Sequence, residues 1–193
     1  ILGVIAAIRQ NHLLDHLFMG LALFGVSMPI FMTSLLLQYL LAFKWKVLPL
    51  TSDGTLVSMI LPAIALGWNS AGSVARITRS SLLEAMQADY IDTARAKGLM
   101  GGKVILFHAL KNSMLPVITM MALQLSSMLS GAVITESIFA IPGIGRLATS
   151  AISNRDMPVL QGTVIFTTVI VIAGNLLADV LYSVLDPRIR KGA

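Results

Sequence analysis

LFMGLALFGVSMPIFMTSLLLQYLLAF, residues 17–43, is a run of 27 residues that contains no Asp, Glu, Lys or Arg. Roughly 20 apolar residues in a helix cross the hydrocarbon core of a bilayer, so this stretch is long enough to span one. Three further stretches are nearly as long and also lack charge: residues 54–75, 112–135 and 157–178. We expect each of the four to cross a membrane. The sequence therefore predicts an all-α fold, a polytopic transmembrane helical bundle.

The composition supports a membrane protein. The chain of 193 residues is 56% hydrophobic and only 12% charged, whereas a soluble domain is about 25% charged. Core helices of a large soluble protein would be the alternative, but four uncharged stretches in so short a chain leave too little polar surface to shield them. Basic loops on one side of a membrane explain the net charge of +5, so we expect no nucleic acid partner.

The distribution of Lys and Arg orients the chain, because basic residues accumulate in cytoplasmic loops. Alternate loops form two sets, and ten of the 14 basic residues fall in one of them. This predicts that residues 9–16, residues 76–111 and the C-terminus are cytoplasmic, and that residues 44–53 and 136–156 are outside. The cytoplasmic set consists of Arg9, Arg76, Arg79, Arg95, Lys97, Lys103, Lys111, Arg188, Arg190 and Lys191, and the outer set of Lys44, Lys46, Arg146 and Arg155.

No constellation of catalytic or metal-ligating residues is evident in the sequence. The absence of cysteine excludes disulfides, thiolate ligands and thiol catalysis. His12 and His16 are four residues apart, but with only Asp15 nearby they make a weak metal pair. No glycine-rich phosphate-binding loop ending in Lys-Ser or Lys-Thr is present. We therefore expect no metal, no cofactor, no ATP site and no enzymatic activity on this chain.

Amide side chains interrupt the uncharged stretches, where such groups either bond neighbouring helices or line a polar path. Packing between helices is the simpler explanation for any single one of them. Gln124 and Ser127 are three residues apart on one helix face, and we name them as candidates for a substrate path.

Residues 76–111 carry nine of the chain's 23 charges. Apolar residues recur there every four positions, at Leu82, Met86, Tyr90 and Ala94, which is typical of one helical face. Among the charged residues, Asp92 and Arg95 are three positions apart and can pair along a helix. The segment is therefore expected to be helical.

Gly98 stands where this helix would end, because glycine adopts the left-handed conformation of a C-cap with little strain. Gly101 and Gly102 predict a second break, after which a new helix returns to the membrane. We expect a helix, a turn and a helix at the cytoplasmic face. Lipid headgroups would bind an amphipathic linker of this kind, but the mixture of acidic and basic residues favours a protein partner.

Residues 92–98, DTARAKG, resemble the EAA loop of the membrane-spanning subunits of binding-protein-dependent ABC importers. The order DYIDTARAKGL (residues 89–99) and then HALKNSMLP (residues 108–116) is most similar to the dipeptide, oligopeptide and nickel branch of that family. Further stretches resemble the same branch: ILPAIALG (residues 60–67), TESIFAIPGIGRL (residues 135–147), NRDMPVLQG (residues 154–162) and LLADVLYSVLDPRIR (residues 176–190).

The resemblance implies one transmembrane domain over residues 1–193, a MetI-like permease core that lacks the family's first helix and most of its second. Residues 1–8 are apolar but too few to span a bilayer, and we interpret them as the end of a further transmembrane helix. The implied location is the bacterial inner membrane, in contact with lipid. The implied partners are a second homologous permease subunit, cytoplasmic ATPase subunits and an extracytoplasmic substrate-binding protein. The solute is not identified, because importers of peptides, glutathione, nickel and haem-related compounds share these motifs.

In this family the EAA loop forms a coupling helix that docks on an ATPase subunit. Carried over by position, the contact residues are Tyr90, Asp92, Thr93, Ala94, Arg95, Ala96, Lys97 and Gly98.

The outer segment, residues 136–161, contains Pro and Gly that predict a folded turn rather than a long helix. By resemblance it faces the binding protein, with Arg146, Arg155 and Asp156 as candidate docking charges.

From the residues alone two other functions stay open. One is a secondary transporter or channel subunit that works without ATP, and the other is a membrane-embedded structural or assembly subunit.

Overall fold

A computed structural model describes residues 1–129 and 133–185 of the chain. The described residues form helices joined by turns, which confirms the all-α fold. Two stretches are π-helical, with hydrogen bonds between residues five apart. The elements are α1 (Leu2–Ile8), α2 (Leu13–Ser27), α3 (Ile30–Leu37), π1 (Gln38–Lys44), α4 (Ile60–Met86), α5 (Asp89–Ala96), α6 (Gly101–Lys103), π2 (Val104–Ala109), α7 (Leu110–Leu129), α8 (Val133–Ile138), α9 (Ile144–Asn154) and α10 (Met157–Leu185).

By length and composition, two helical stretches among the described residues can cross a membrane: Gly101–Leu125 and Met157–Leu177. A third counts if Leu13–Ser27 and Ile30–Lys44, which are bent by 103°, form one span. α4 is not one of these stretches, because polar and charged residues such as Asn69 and Arg76 interrupt its apolar part. By length and composition, the described residues thus offer two or three candidate spans where the uncharged stretches predicted four.

The stretch of residues 17–43 is divided at Pro29, whose ring nitrogen has no hydrogen to donate to the carbonyl of Gly25. The side-chain amide of Asn69 in α4 donates instead to the carbonyls of Gly25 (3.4 Å) and Val26 (3.3 Å). A Cβ at Gly25 would lie 2.6 Å from the indole Nε1 of Trp68, so α2 approaches α4 closely here. Proline and the amide of Asn69 therefore account for the end of α2.

The chain divides into two compact units. The first comprises Ile1–Phe24, Ala71–Leu123 and the described residues 178–185. Its core brings α1, α4, α5, π2 and the residues between them together around small and branched side chains. The buried members are Ala7, Leu82, Ile91, Ala94, Val104 and Ala109.

The second unit comprises Gly25–Ser70 and Gln124–Leu177. Its core contains Ala42, Leu61, Ala65 and Phe139. The side-chain amide of Gln38 donates to the carbonyls of Leu50 (2.8 Å) and Ile138 (3.3 Å), so it connects segments distant in sequence. The single transmembrane domain expected over residues 1–193 stays a prediction.

Residues 76–111 contain the predicted helix, turn and helix, but two details of the prediction are wrong. Gly101 and Gly102 do not break a helix; they begin α6, directly after the extended Met100. Leu82 and Met86 belong to α4, which ends before α5 begins, so they do not share a helix face with Tyr90 and Ala94.

The outer segment is folded into short elements, which confirms the prediction of a folded turn rather than a long helix. α8 is followed by a turn, α9 ends at Asn154, and Arg155 in the left-handed conformation (φ 56°) precedes α10. Three residues of the predicted cytoplasmic set, Arg188, Arg190 and Lys191, lie outside the described residues.

Candidate functional site

The first turn of α5 carries the acids that favour a helix start. Ala88 is extended (φ −79°, ψ 144°), and Asp89 and Asp92 lie in the first turn, with Arg95 in the last. Negative side chains near the N-terminus and positive ones near the C-terminus stabilise a helix through its dipole. These charges favour the helical conformation of the eight-residue α5.

The inner face of α5 is held by two apolar side chains. Ile91 is fully buried and Ala94 is 6% exposed, and both belong to the core that contains Leu82 of α4 and Ala7 of α1. Burial of a side chain such as isoleucine stabilises a protein by roughly 1.5–3 kcal/mol. α5 is therefore anchored to the first unit and does not lie free in a loop.

The turn after α5 depends on Gly98. Gly98 has φ +76°, and its backbone N–H donates to the carbonyl of Arg95 (2.9 Å), while that of Leu99 donates to the carbonyl of Ala94 (3.4 Å). Left-handed backbone of this kind favours glycine, which terminates helices in this way. The prediction that Gly98 ends the helix is confirmed.

The outer face of α5 and its turn form what we call the coupling surface. It consists of seven of the eight predicted contact residues, all exposed: Tyr90, Asp92, Thr93, Arg95, Ala96, Lys97 and Gly98. The guanidinium of Arg95 pairs with the carboxylate of Asp92 at 3.4 Å, as predicted. Acidic, basic, aromatic and small residues thus lie together on one accessible helix face.

Ala94 differs from the other predicted contact residues. It is buried against the core, so it lies beneath the coupling surface and is not available to a partner. Its position on the helix explains this, because Ala94 follows Ile91 by three residues and shares its face. In this structure Ala94 helps to attach α5.

The coupling surface has an apolar extension that was not predicted from the sequence. Leu99 is 39% exposed and Met100 is 72% exposed, directly after Gly98. Their position in the sequence could have identified them, because large apolar residues are unusual in a tight turn between two charged helices. Leu99 and Met100 thus add exposed apolar surface next to the charged face of α5.

The two candidates for a substrate path are not brought together by any described contact. Gln124 is half-buried in α7, and the side chain of Ser127 lies outside the described part of the structure. The second unit contains a cavity of about 330 Å³ that neither residue lines. Its polar lining includes Thr163 and Thr167, whose hydroxyls donate to carbonyls of their own helix.

The candidate docking charges of the outer segment lie at opposite ends of α9. Arg146 and Arg155 are nine positions apart, which corresponds to roughly 14 Å along a helix. The guanidinium of Arg146 donates to the carbonyl of Ala140 (2.7 Å), and Arg146 lines a cavity of about 470 Å³ with Leu147. Asp156 accepts a hydrogen bond from the backbone N–H of Val159 (3.2 Å), so it caps α10. Two of the three charges therefore also have structural roles.

The part of the chain that the structure describes contains no candidate metal centre. No group of three or more His, Cys, Asp or Glu side chains there could hold an ion. The features that could carry function in these residues are the coupling surface and the short elements of the outer segment.

Comparison with known proteins identifies a family and several relatives. The family model described as binding-protein-dependent transport system inner membrane component matches residues 1–191. The dipeptide transport system permease protein DppB of Escherichia coli strain K12 is 42% identical over 219 residues, covering 97% of this chain and 65% of that protein. The protein of the same name from Bacillus subtilis strain 168 is 44% identical over 190 residues, covering 98% of this chain and 62% of that protein.

A glutathione transport system permease protein, GsiC of Pectobacterium atrosepticum, is also similar. It is 39% identical over 189 residues, covering 98% of this chain and 62% of that protein. The chain thus spans less than two thirds of the length of these relatives.

Proposed function

We propose that this chain, which belongs to the family of binding-protein-dependent transport system inner membrane components, forms one membrane-spanning subunit of an ABC importer. In this role it contributes half of a translocation path and receives the effect of ATP hydrolysis from a partner subunit. The match of the family model to residues 1–191 carries the proposal.

The coupling surface is the site at which we propose that an ATPase subunit docks. Its residues are exposed while Ile91 and Ala94 beneath them are buried, so a force on this face would act on the core of the first unit. Arg95 and Lys97 present positive charge beside Asp92, and charges of both signs set the register of a docked partner. Met100 adds an exposed apolar contact next to them.

A charge reversal on the coupling surface tests this function. In the transporter purified with its ATPase subunits, we expect Arg95→Glu with Lys97→Glu to weaken ATPase association about tenfold or more, which corresponds to about 1.4 kcal/mol. Arg9→Glu is the matched control, because Arg9 is exposed and lies outside the coupling surface. Uptake should require ATP. An uptake that follows an ion gradient and ignores ATP would instead indicate a secondary transporter or channel.

We propose short peptides as the solute class and a second homologous permease subunit and an extracytoplasmic binding protein as further partners. Relatives from two bacteria are dipeptide permease proteins, and this supports peptides over nickel. A third relative is a glutathione permease protein, and glutathione is itself a peptide. Uptake of a labelled dipeptide, with unlabelled glutathione or nickel as competitor, distinguishes these solutes.

The outer segment is the part that we propose to contact the binding protein. Arg155 is the most available of the three candidate charges, because Arg146 donates to Ala140 and Asp156 caps α10. Pro142 and Gly143 precede α9, and Arg155 in the left-handed conformation ends it, so α9 is a separate short helix.

A further inference from the structure

Asp15 is a buried carboxylate in the first turn of α2, with its residue 1% exposed. It forms an ion pair with Arg79 of α4 through two hydrogen bonds, from Nε to Oδ1 (2.6 Å) and from Nη2 to Oδ2 (2.6 Å). The backbone N–H of Asn11 also donates to Oδ2 (2.9 Å). Both carboxylate oxygens are therefore engaged, and the guanidinium is held in a fixed orientation.

The ion pair lies next to the attachment of the coupling surface. Arg79 precedes Leu82 by three residues, so the two are one turn apart on α4. Leu82 is fully buried in the core with Ile91 and Ala94, the two residues that anchor α5. Between the end of α4 and the start of α5 there are only two residues. A displacement of α5 must therefore act on α4 close to Arg79.

α1 contacts the same part of α4. A Cβ at Gly3 would lie 2.8 Å from the Cβ of Thr78 and would also meet the carbonyl of Ala75. Ala7 is fully buried in the core with Leu82. Residues 75–82 of α4 are thus in close contact with α1 and, through the ion pair, with the first turn of α2.

The two kinds of contact differ in what they can transmit. Apolar contacts pass on a displacement through close packing, but they are non-directional and specify no particular orientation between two helices. A two-point guanidinium–carboxylate pair fixes both distance and orientation. Asp15 is buried and the side chain of Arg79 is 25% exposed. Replacement of a buried ion pair by apolar residues of similar volume is often neutral or stabilising, so stability alone does not require this pair.

We propose that Asp15 and Arg79 are positioning residues that transmit the displacement of the coupling surface from α4 to α2. α2 leads directly to the break at Pro29, where the chain bends within its longest uncharged stretch. This inference rests on the proposed coupling function, and it assigns a role to a charged pair that is not part of the coupling surface.

The test replaces both charges and measures coupling in the complete reconstituted transporter. The variant is Asp15→Leu with Arg79→Met, and the matched control is Glu84→Gln, an exposed acid on α4 outside the coupling surface. We expect the double variant to assemble and to retain ATPase association. Its uptake of labelled dipeptide per ATP hydrolysed should fall at least roughly fivefold, which corresponds to the weakest typical coupling free energy between two sites. A merely structural role would lower the amount of protein without changing this ratio.

Arg79→Lys is a second variant that keeps the charge and removes the two-point geometry. We expect this variant to assemble and to show an intermediate loss of uptake per ATP hydrolysed. If the double variant does not accumulate in the membrane, Arg79→Lys alone tests the role of the ion pair. A wild-type ratio in either assembled variant would overturn the role of the ion pair and leave the proposed function intact. If the wild-type transporter shows no ATP-dependent uptake, the proposed function itself fails.

Discussion

At the scale of single residues, the turn after α5 depends on one backbone conformation. Gly98 has φ +76°, and a Cβ at this position would meet no atom within 4 Å, so space is not the constraint. The constraint is the left-handed conformation, which costs a residue with a Cβ roughly 1–2 kcal/mol. Branched residues are disfavoured still more strongly there.

Gly98→Val should therefore disturb the coupling surface without preventing membrane insertion. The strained turn would shift Lys97 and the end of α5, and we expect ATP-dependent uptake to fall while the amount of inserted protein is unchanged. Uptake and membrane content measured on the same cells check this. Gly102→Val is the matched control, since Gly102 is helical and has open space around its Cβ position. Normal uptake by Gly98→Val would contradict the coupling role of the turn.

The sequence predicted the exposed residues of α5 more reliably than the buried ones. Charge and glycine are local signals, so the pair of Asp92 and Arg95 and the end of the helix at Gly98 were found correctly. Which apolar residue is buried depends on the helices packed against α5. For that reason Tyr90 was assigned to the apolar face, whereas the structure buries Ile91 and leaves Tyr90 40% exposed.

At the scale of elements, α5 is short and depends on its contacts with other helices. A helix of eight residues is marginal in isolation, since isolated helices shorter than about 12–15 residues are only weakly stable in water. The buried side chains of Ile91 and Ala94 therefore decide whether α5 forms.

Ile91→Ala should loosen α5 on the first unit. Isoleucine-to-alanine changes in a core cost about 2–5 kcal/mol, because the removed methyl groups leave a cavity. We expect faster hydrogen exchange of the α5 amides and reduced ATPase association, measured on the purified protein. Thr93→Ala is the control for exchange, because Thr93 is exposed on the same helix. Unchanged protection of the α5 amides in Ile91→Ala would show that this contact does not anchor the helix.

The uncharged stretches predicted where apolar helices occur, but not where each helix bends, begins or ends. Counting charges ignores bends, and Pro29 with its neighbour Asn69 divides residues 17–43 into two helices. It also ignores where a helix starts. α4 begins at Ile60 and continues into the charged residues up to Met86, and α6 begins at Gly101 within the segment predicted as a cytoplasmic connection. Such boundaries depend on partners distant in sequence.

At the scale of the whole molecule, the functional proposal depends on which side of the membrane the coupling surface occupies. Ten basic residues against four predict the cytoplasmic side for residues 76–111, where ATP is available. The same count predicts that residues 9–16 share that side and that residues 44–53 lie opposite. Two exposed positions in these turns, Gln10 and Thr51, can report the orientation without touching the coupling surface.

The turn that begins at Asp53, two residues after Thr51, is formed at the pH of a labelling experiment. The carboxylate of nearby Asp53 accepts hydrogen bonds from the hydroxyl (2.6 Å) and backbone N–H (2.9 Å) of Thr55, and these lower the pKa of Asp53 to about 2. A lowered pKa means that the turn's stabilisation is present above the ordinary value of 3.8 and is lost only as the pH falls toward about 2. At neutral pH the carboxylate is fully ionised.

Single cysteines at these two positions test the orientation directly, because the chain has no cysteine of its own. We expect a membrane-impermeant maleimide to label Thr51→Cys on intact cells and to label Gln10→Cys only after the membrane is permeabilised. Labelling after denaturation is the control for the presence of each thiol. The reverse pattern would put residues 76–111 outside the cell. An ATPase subunit could then not reach Arg95 and Lys97, and the exposed face of α5 would need a partner that works without ATP.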